Sequence, residues 1–104
     1  MDLKNGWVRE VHQENVALSF RIDDILFEGR SPFQQVEVVK TKDHGRMLLN
    51  DGIIMLSERD EFIYHEMIAH VPLFVHPSPR QILVIGGGDG GTVREVLKHR
   101  QVEK

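Results

Sequence analysis

The sequence predicts a mostly β N-terminal domain of antiparallel strands with a helix, followed by the first β-loop-α unit of a truncated α/β domain. Three observations carry this prediction. Residues 1–56 hold short apolar runs separated by tight-turn residues. After Ser57 the apolar spacing becomes helical. An unbroken apolar stretch at residues 81–85 then leads straight into a loop of glycines. The divisions follow: strands over 1–56, helix and linker over 57–79, and the start of the α/β domain over 80–104.

Residues 16–22 alternate, with Val16, Leu18, Phe20 and Ile22 on one face and Ala17, Ser19 and Arg21 on the other, which is the period of a half-buried strand. Asp23-Asp24 reads as a turn, and residues 25–28 form a second short strand. Residues 33–41 form a third, with Gln34, Val36 and Val38 on one face. Asp43-His44-Gly45 separates it from residues 46–49 as a hairpin loop does. Asn50-Asp51-Gly52 then turns the chain into residues 53–55. Short strands joined by tight turns predict an antiparallel meander.

Ser57 is placed to cap a helix, with Glu58, Asp60 and Glu61 in the first turn, where the helix dipole favours negative charge. Phe62, Ile63, Met67, Ile68 and Val71 follow at helical spacing. Pro72 limits this helix, and His76-Pro77-Ser78-Pro79 is a stiff linker at the domain boundary. Residues 81–85 are a run of the kind buried on both faces of a parallel sheet, with a neighbour expected on each edge. Beyond the glycines, residues 92–99 read as a helix with Val93, Val96 and Leu97 as its apolar face.

The 104 residues allow one modest domain, or a small domain with a fragment of another. A net charge of −3 with both signs interspersed gives no reason to expect nucleic acid or an anionic membrane as partner. The sequence has no cysteine, which excludes disulfides and thiolate metal sites and fits a reducing compartment. No apolar run at the N-terminus resembles a signal peptide, and no apolar stretch approaches the length of a membrane span. The expectation is a cytoplasmic protein.

Gly86, Gly88 and Gly91 satisfy G-x-G-x-x-G, directly after a buried-type strand and at the opening of a helix. Glycines there let the backbone turn sharply and let a ligand lie against it. A plain strand-to-helix turn needs fewer of them. Two ligand classes compete. A dinucleotide would set its pyrophosphate at the helix N-terminus, whereas an adenosyl sulfonium would lay its tail against the loop. Asp89 bears on the choice. A carboxylate in the loop repels a pyrophosphate, attracts a cation, and disfavours a ligand with its own carboxylate such as S-adenosylmethionine. It suits a decarboxylated, wholly cationic relative of that molecule, or a diamine beside it.

On the first helix Asp60, Tyr64 and Met67 share one side, and Glu61 and His65 the next. Tyr64 and His65 can present a hydroxyl and an imidazole to a polar ligand. The plain alternative packs Tyr64 at the domain boundary and leaves His65 solvated. His65-Glu66 and His70 resemble H-E-x-x-H, but the second histidine comes one residue late, about 140° around the helix. The two rings do not clasp one ion, and no metal site is expected. His12, His44, His76 and His99 sit in loops or ends and read as solvated. Gln34 is either surface decoration or a side chain that hydrogen-bonds a sugar or ligand edge.

Residues 31–34, 49–52, 57–67 and 82–95 resemble spermidine synthases, the polyamine aminopropyltransferase family, in order and spacing. The most specific part is Glu58-Arg59-Asp60-Glu61-Phe62-Ile63-Tyr64-His65-Glu66-Met67 followed by Gly86-Gly87-Gly88-Asp89-Gly90-Gly91. The resemblance covers nearly the whole chain and is least clear over residues 1–15. It implies a small N-terminal β-domain and a larger C-terminal Rossmann-like domain of the methyltransferase type, whose nucleoside-binding start is residues 80–104. It also implies aminopropyl transfer from decarboxylated S-adenosylmethionine to putrescine, giving spermidine and methylthioadenosine. That donor is a co-substrate, and no separate cofactor or metal is implied. By the same resemblance, Gln34 matches the glutamine that contacts the nucleoside; Gly86 and Gly88, from the loop pattern itself, are expected to lie against the donor. Tyr64 and His65 match the pair at the polyamine pocket, though the second position varies within the family. Asp89 matches the loop aspartate that holds the amino end of the aminopropyl group or the polyamine. A homo-oligomer assembled through N-terminal strands is implied as well.

The family places an acidic residue after the next strand to grip the ribose hydroxyls, and an aspartate further on to take a proton from the attacking amine. Both positions fall beyond Lys104. A protonated diamine cannot attack the carbon beside the sulfonium, so a carboxylate must accept that proton as the C–N bond forms. The 104-residue chain alone is therefore expected to be inactive. Two other classes compete with the transferase. One is a stand-alone β-domain acting as an oligomerisation or interaction module. The other is a dinucleotide-binding oxidoreductase fragment, which Asp89 argues against.

Overall fold

The structure, a computed structural model, describes residues 5–104. They fall into two units, one ending at Asp60 and the other running Glu61–Lys104. The first is an antiparallel meander of five strands in the order β1-β2-β3-β4-β5. These are β1 Trp7–His12, β2 Val16–Arg30, β3 Gln35–Thr41, β4 Arg46–Asn50 and β5 Ile53–Ser57.

Two expected strands prove to be one. Residues 16–22 and 25–28 belong to the continuous β2, and Asp23-Asp24 makes no turn. β2 instead shifts register between Ile22 and Asp24 and again between Ile25 and Phe27, pairing with β1 by its first half and with β3 by its second. Such irregularities bend a strand without ending it, and an aspartate pair at a bulge looks the same in sequence as one at a turn. In β1, Val8 and Glu10 point inward. The Glu10 carboxylate accepts the Ile54 N–H of β5 at 2.6 Å, so the sheet curls until its two edge strands are bridged. Val8, Ile22, Val39, Met47 and Leu49 form the core, with Phe20 and Ile54 against them.

The inner face of β3 is Glu37, Val39 and Thr41 rather than Val36 and Val38. The polar pair is tolerated there through local hydrogen bonds. Thr41 Oγ1 donates to the Gly45 carbonyl at 2.8 Å and accepts the His44 N–H at 2.9 Å. Glu37 Oε1 accepts from Gln35 Nε2 at 2.7 Å, while Oε2 is buried with no partner among the described residues.

The second unit holds α1 Glu61–Val75 and α2 Gly91–Val96. Ser57 does not cap α1: it ends β5, and its hydroxyl donates to Asp60 Oδ1 at 2.6 Å. Pro72 does not stop α1 either, but sits inside its last turn. Its ring costs the helix one N–H donor, yet the turn continues and the His76 N–H reaches the Pro72 carbonyl at 3.0 Å. The buried stripe of α1 is His65, Ala69 and Leu73, one residue per turn, whereas Phe62, Ile63, Met67, Ile68 and Val71 are exposed. Ala69, Leu73 and Val96 make the core, with Ile82 and Val102 beside it. α2 is shorter than the expected 92–99 helix and buries Gly91, Glu95 and Val96, leaving Val93 and Leu97 exposed.

Residues 81–85 form no strand. The Ile82 N–H donates to the Lys104 carbonyl at 2.8 Å, and the Lys104 N–H to the Arg80 carbonyl at 3.1 Å. Two residues bracketing a single partner make one rung of a parallel ladder. Leu83 and Ile85 lie beyond that rung and stay exposed.

Candidate ligand site

The glycine loop enters α2 through Gly90, whose φ of +79° is open to glycine and strained for other residues. The Gly90 N–H donates to the Gly87 carbonyl at 3.0 Å, and its carbonyl accepts the Arg94 N–H at 2.9 Å. This tight return aims Asp89 back at the helix start. Asp89 Oδ1 accepts the Gly91 N–H at 2.7 Å and lies 3.1 Å from His65 Nε2. Oδ2 has no partner among the described residues.

His65 is 2% exposed, so it is not the solvated side chain of the plain alternative. Its Nδ1 is paired with Glu61 Oε2, one turn earlier on α1. The same oxygen accepts from Arg94 Nη2 at 2.8 Å. The Arg94 guanidinium, with the His65 ring second, holds the Glu61 carboxyl below its ordinary range. A chain Arg94–Glu61–His65–Asp89 thus ties α2, α1 and the glycine loop together. Gly91 permits it, because a Cβ there would overlap the imidazole ring.

Tyr64, Gly87 and Asp89 line a groove of about 430 Å³ whose other walls include Ile68, Leu73 and Leu83. Tyr64 is exposed, and its ring meets His65 edge-on at a centroid distance of 5.2 Å. An apolar trough with a carboxylate and a phenol at its rim suits a short aliphatic chain that ends in a cation. The space over Gly86 and Gly88 is open, since a Cβ at either would meet nothing within 4 Å. Gln34 belongs to the first unit. It precedes β3 in a turn where Ser31 Oγ accepts the N–H of Phe33 and of Gln34 at 3.1 Å each, and its side-chain amide makes no hydrogen bond among the described residues.

Sequence reasoning missed a second buried cluster. Glu95 is 1% exposed and accepts from Arg94 Nε at 3.0 Å, Lys98 Nζ at 2.8 Å and His70 Nε2 at 3.0 Å. Lys98 foremost, then Arg94 and His70, pull its carboxyl down to about 2. His70 Nδ1 bonds His99 Nε2 at 2.7 Å, so His99 is paired and half-buried rather than solvated. His44 is also half-buried, edge-on to Phe20 with centroids 4.9 Å apart. His65 and His70 serve different partners, as the helical angle between them requires. The i, i+4 spacing of Glu61 and His65 was the one signal for the first chain; Arg94 gave none.

Residues 6–58 match the family described as spermidine synthase tetramerisation domain, and residues 61–104 match the spermine/spermidine synthase domain. Among curated proteins the chain is similar to the polyamine aminopropyltransferase of Methanocaldococcus jannaschii, 59% identical over 93% of this chain and 33% of the relative. The same-named proteins of Clostridium kluyveri and Bacillus subtilis are 50% and 49% identical, over 100% and 94% of this chain and 37% and 36% of theirs. A crystal structure of spermidine synthase with the transition-state analogue AdoDATO matches with a TM-score of 0.92 at 48% identity, over 94% of this chain and 34% of that one. The spermidine synthase of Thermotoga maritima matches with the same score and identity, over 94% of this chain and 35% of its own. The chain spans about a third of the length of these relatives.

Proposed function

The chain belongs to the spermine/spermidine synthase family, and from that premise we propose that it serves aminopropyl transfer from decarboxylated S-adenosylmethionine to putrescine, giving spermidine and methylthioadenosine. The observation that carries the proposal is Asp89, a loop carboxylate with one oxygen engaged and the other unpartnered, at the rim of an apolar groove. In this reading Asp89 holds the cationic end of the donor or the amine, and Tyr64 and His65 flank the polyamine. Gly86 and Gly88 give the donor a surface without side chains, and Gln34 contacts its nucleoside. In the reaction the amine nitrogen attacks the carbon beside the sulfonium, the C–S bond breaks, and the sulfur leaves as a neutral thioether. The amine proton passes to a carboxylate, a role assigned to none of the described residues.

The fit of residues 6–58 to a tetramerisation domain supports a homo-oligomer assembled through the first unit. Exposed Leu18, Ile25, Leu26 and Phe27 on β2 offer apolar surface for it. None of the described helices is long and apolar enough to cross a membrane, and we place the reaction in the cytoplasm. The dinucleotide reading gains nothing from the site, because a pyrophosphate would meet the Asp89 carboxylate.

Calorimetric titration tests the proposal, with the chain joined in frame to the remaining two-thirds of the Methanocaldococcus jannaschii relative. Decarboxylated S-adenosylmethionine is expected to bind more tightly than the carboxylated form. Asp89→Asn should weaken the decarboxylated donor by about tenfold or more, the loss of one charge-assisted contact. Equal binding of both forms, unaltered in the variant, would contradict it.

A further inference from the structure

Resting on the reading of Asp89 as the cation-binding group, we infer that Glu61 and Arg94 are positioning residues which act through the His65 ring to fix the Asp89 carboxylate for its ligand. Asp89 Oδ1 accepts the Gly91 N–H at 2.7 Å and lies within ion-pair distance of His65 Nε2, at 3.1 Å, which leaves Oδ2 to face the ligand. His65 keeps its place because Nδ1 is tied to Glu61 and the ring lies flat where Gly91 lacks a Cβ. Glu61 is pinned by Arg94 Nη2 at 2.8 Å, and Arg94 by Glu95 Oε1 at 3.0 Å. The ring is shut away from water, so no solvent molecule can take over the part of Glu61.

Proton counting makes the relay specific. Both ring nitrogens lie against carboxylate oxygens. A ring with one proton satisfies one of them and turns a lone pair on the other. Both contacts are attractive together only when both nitrogens carry protons. The ring then stands as a cation between Glu61 and Asp89, with Arg94 as the second cation. The groups facing His65 are Glu61 and Tyr64 from α1 and Asp89 from the loop, and Arg94 from α2 acts through Glu61. Glutamine at position 65 could offer an N–H to Asp89, but Glu61 would then have no ring to act through.

A double-mutant cycle tests this in the same in-frame fusion, reading the Kd of decarboxylated S-adenosylmethionine. Glu61→Gln should weaken binding by about tenfold. In the His65→Gln background, adding Glu61→Gln should cost less than about twofold. Arg94→Gln should change binding in the same direction as Glu61→Gln. An equal cost of Glu61→Gln in both backgrounds would make Glu61 merely structural and overturn the inference while leaving the Asp89 reading intact. Unchanged binding by Asp89→Asn would remove the reading and the inference together. If the Glu61 variant does not fold, ¹⁵N spectra of the unsubstituted protein decide. Both His65 ring nitrogens should be protonated over the pH range of tight binding, and a singly protonated ring there would overturn the inference.

Discussion

Gly91 decides whether His65 can reach Asp89. In the G-x-G-x-x-G pattern it reads as a position for ligand approach or a tight turn, yet its neighbour is the imidazole of a residue distant in sequence. Replacing Gly91 with Ala should push the ring aside and cost about 1–3 kcal/mol, as overpacking does. It should also weaken the cationic donor as Glu61→Gln does, measured by thermal melts beside calorimetry. Full affinity in a folded variant would mean that the ring does not hold the carboxylate. Tyr64, His65 and Asp89 could be singled out as candidates because each carries chemistry at a readable spacing. Glu95 and Glu37 were not, because a buried acid looks in sequence like any surface acid. Glu37 makes its own prediction. Burial foremost, then the Glu28 charge, raises its carboxyl above the ordinary value of 4.5. A raised carboxyl favours the folded state below that value and loses this contribution as pH climbs through the raised one. Glu37→Gln should therefore raise the melting temperature at neutral pH, with a gain that shrinks as the pH is lowered through the raised value toward 4.5. A gain that does not change with pH would contradict the burial argument.

The elements departed from expectation where a local signal had two structural meanings. Asp23-Asp24 bends β2 instead of ending it, and Pro72 is absorbed in the last turn of α1. Residues 81–85 read correctly as apolar but, among the described residues, find only one parallel rung to pair with. The antiparallel meander was legible because its turns at residues 43–45 and 50–52 are built from Asp, Asn and Gly in short spacing. The α1 stripe was missed because a histidine and an alanine occupy two of its three buried positions. At this scale Glu95 is the tie between α1 and α2. Its lowered carboxyl stabilises the folded state above the ordinary value of 4.5, and the contribution disappears as pH falls toward about 2. Protection of the α1 and α2 amides against hydrogen exchange should therefore hold above 4.5 and decline progressively as the pH falls from there toward about 2. Glu95→Gln should quicken exchange at neutral pH and flatten the acid dependence. Protection that collapses at pH 4.5 in the unsubstituted protein would contradict the ion cluster.

For the whole molecule, family membership was legible because the Glu58-to-Met67 and glycine-loop motifs stand in family order and spacing. The way each motif is packed was not, because it depends on residues brought together by the fold. Assembly follows from the first unit: replacing Leu18 and Phe27 with Asp should lower the sedimentation coefficient if exposed β2 forms the subunit contact. An unaltered coefficient would place the contact elsewhere. The reaction itself is tested by product analysis of the in-frame fusion incubated with putrescine and decarboxylated S-adenosylmethionine. Spermidine and methylthioadenosine are expected in equal amounts, with both products suppressed by Asp89→Asn. A folded fusion that forms neither product, or forms both undiminished in the Asp89 variant, would contradict the proposed transfer.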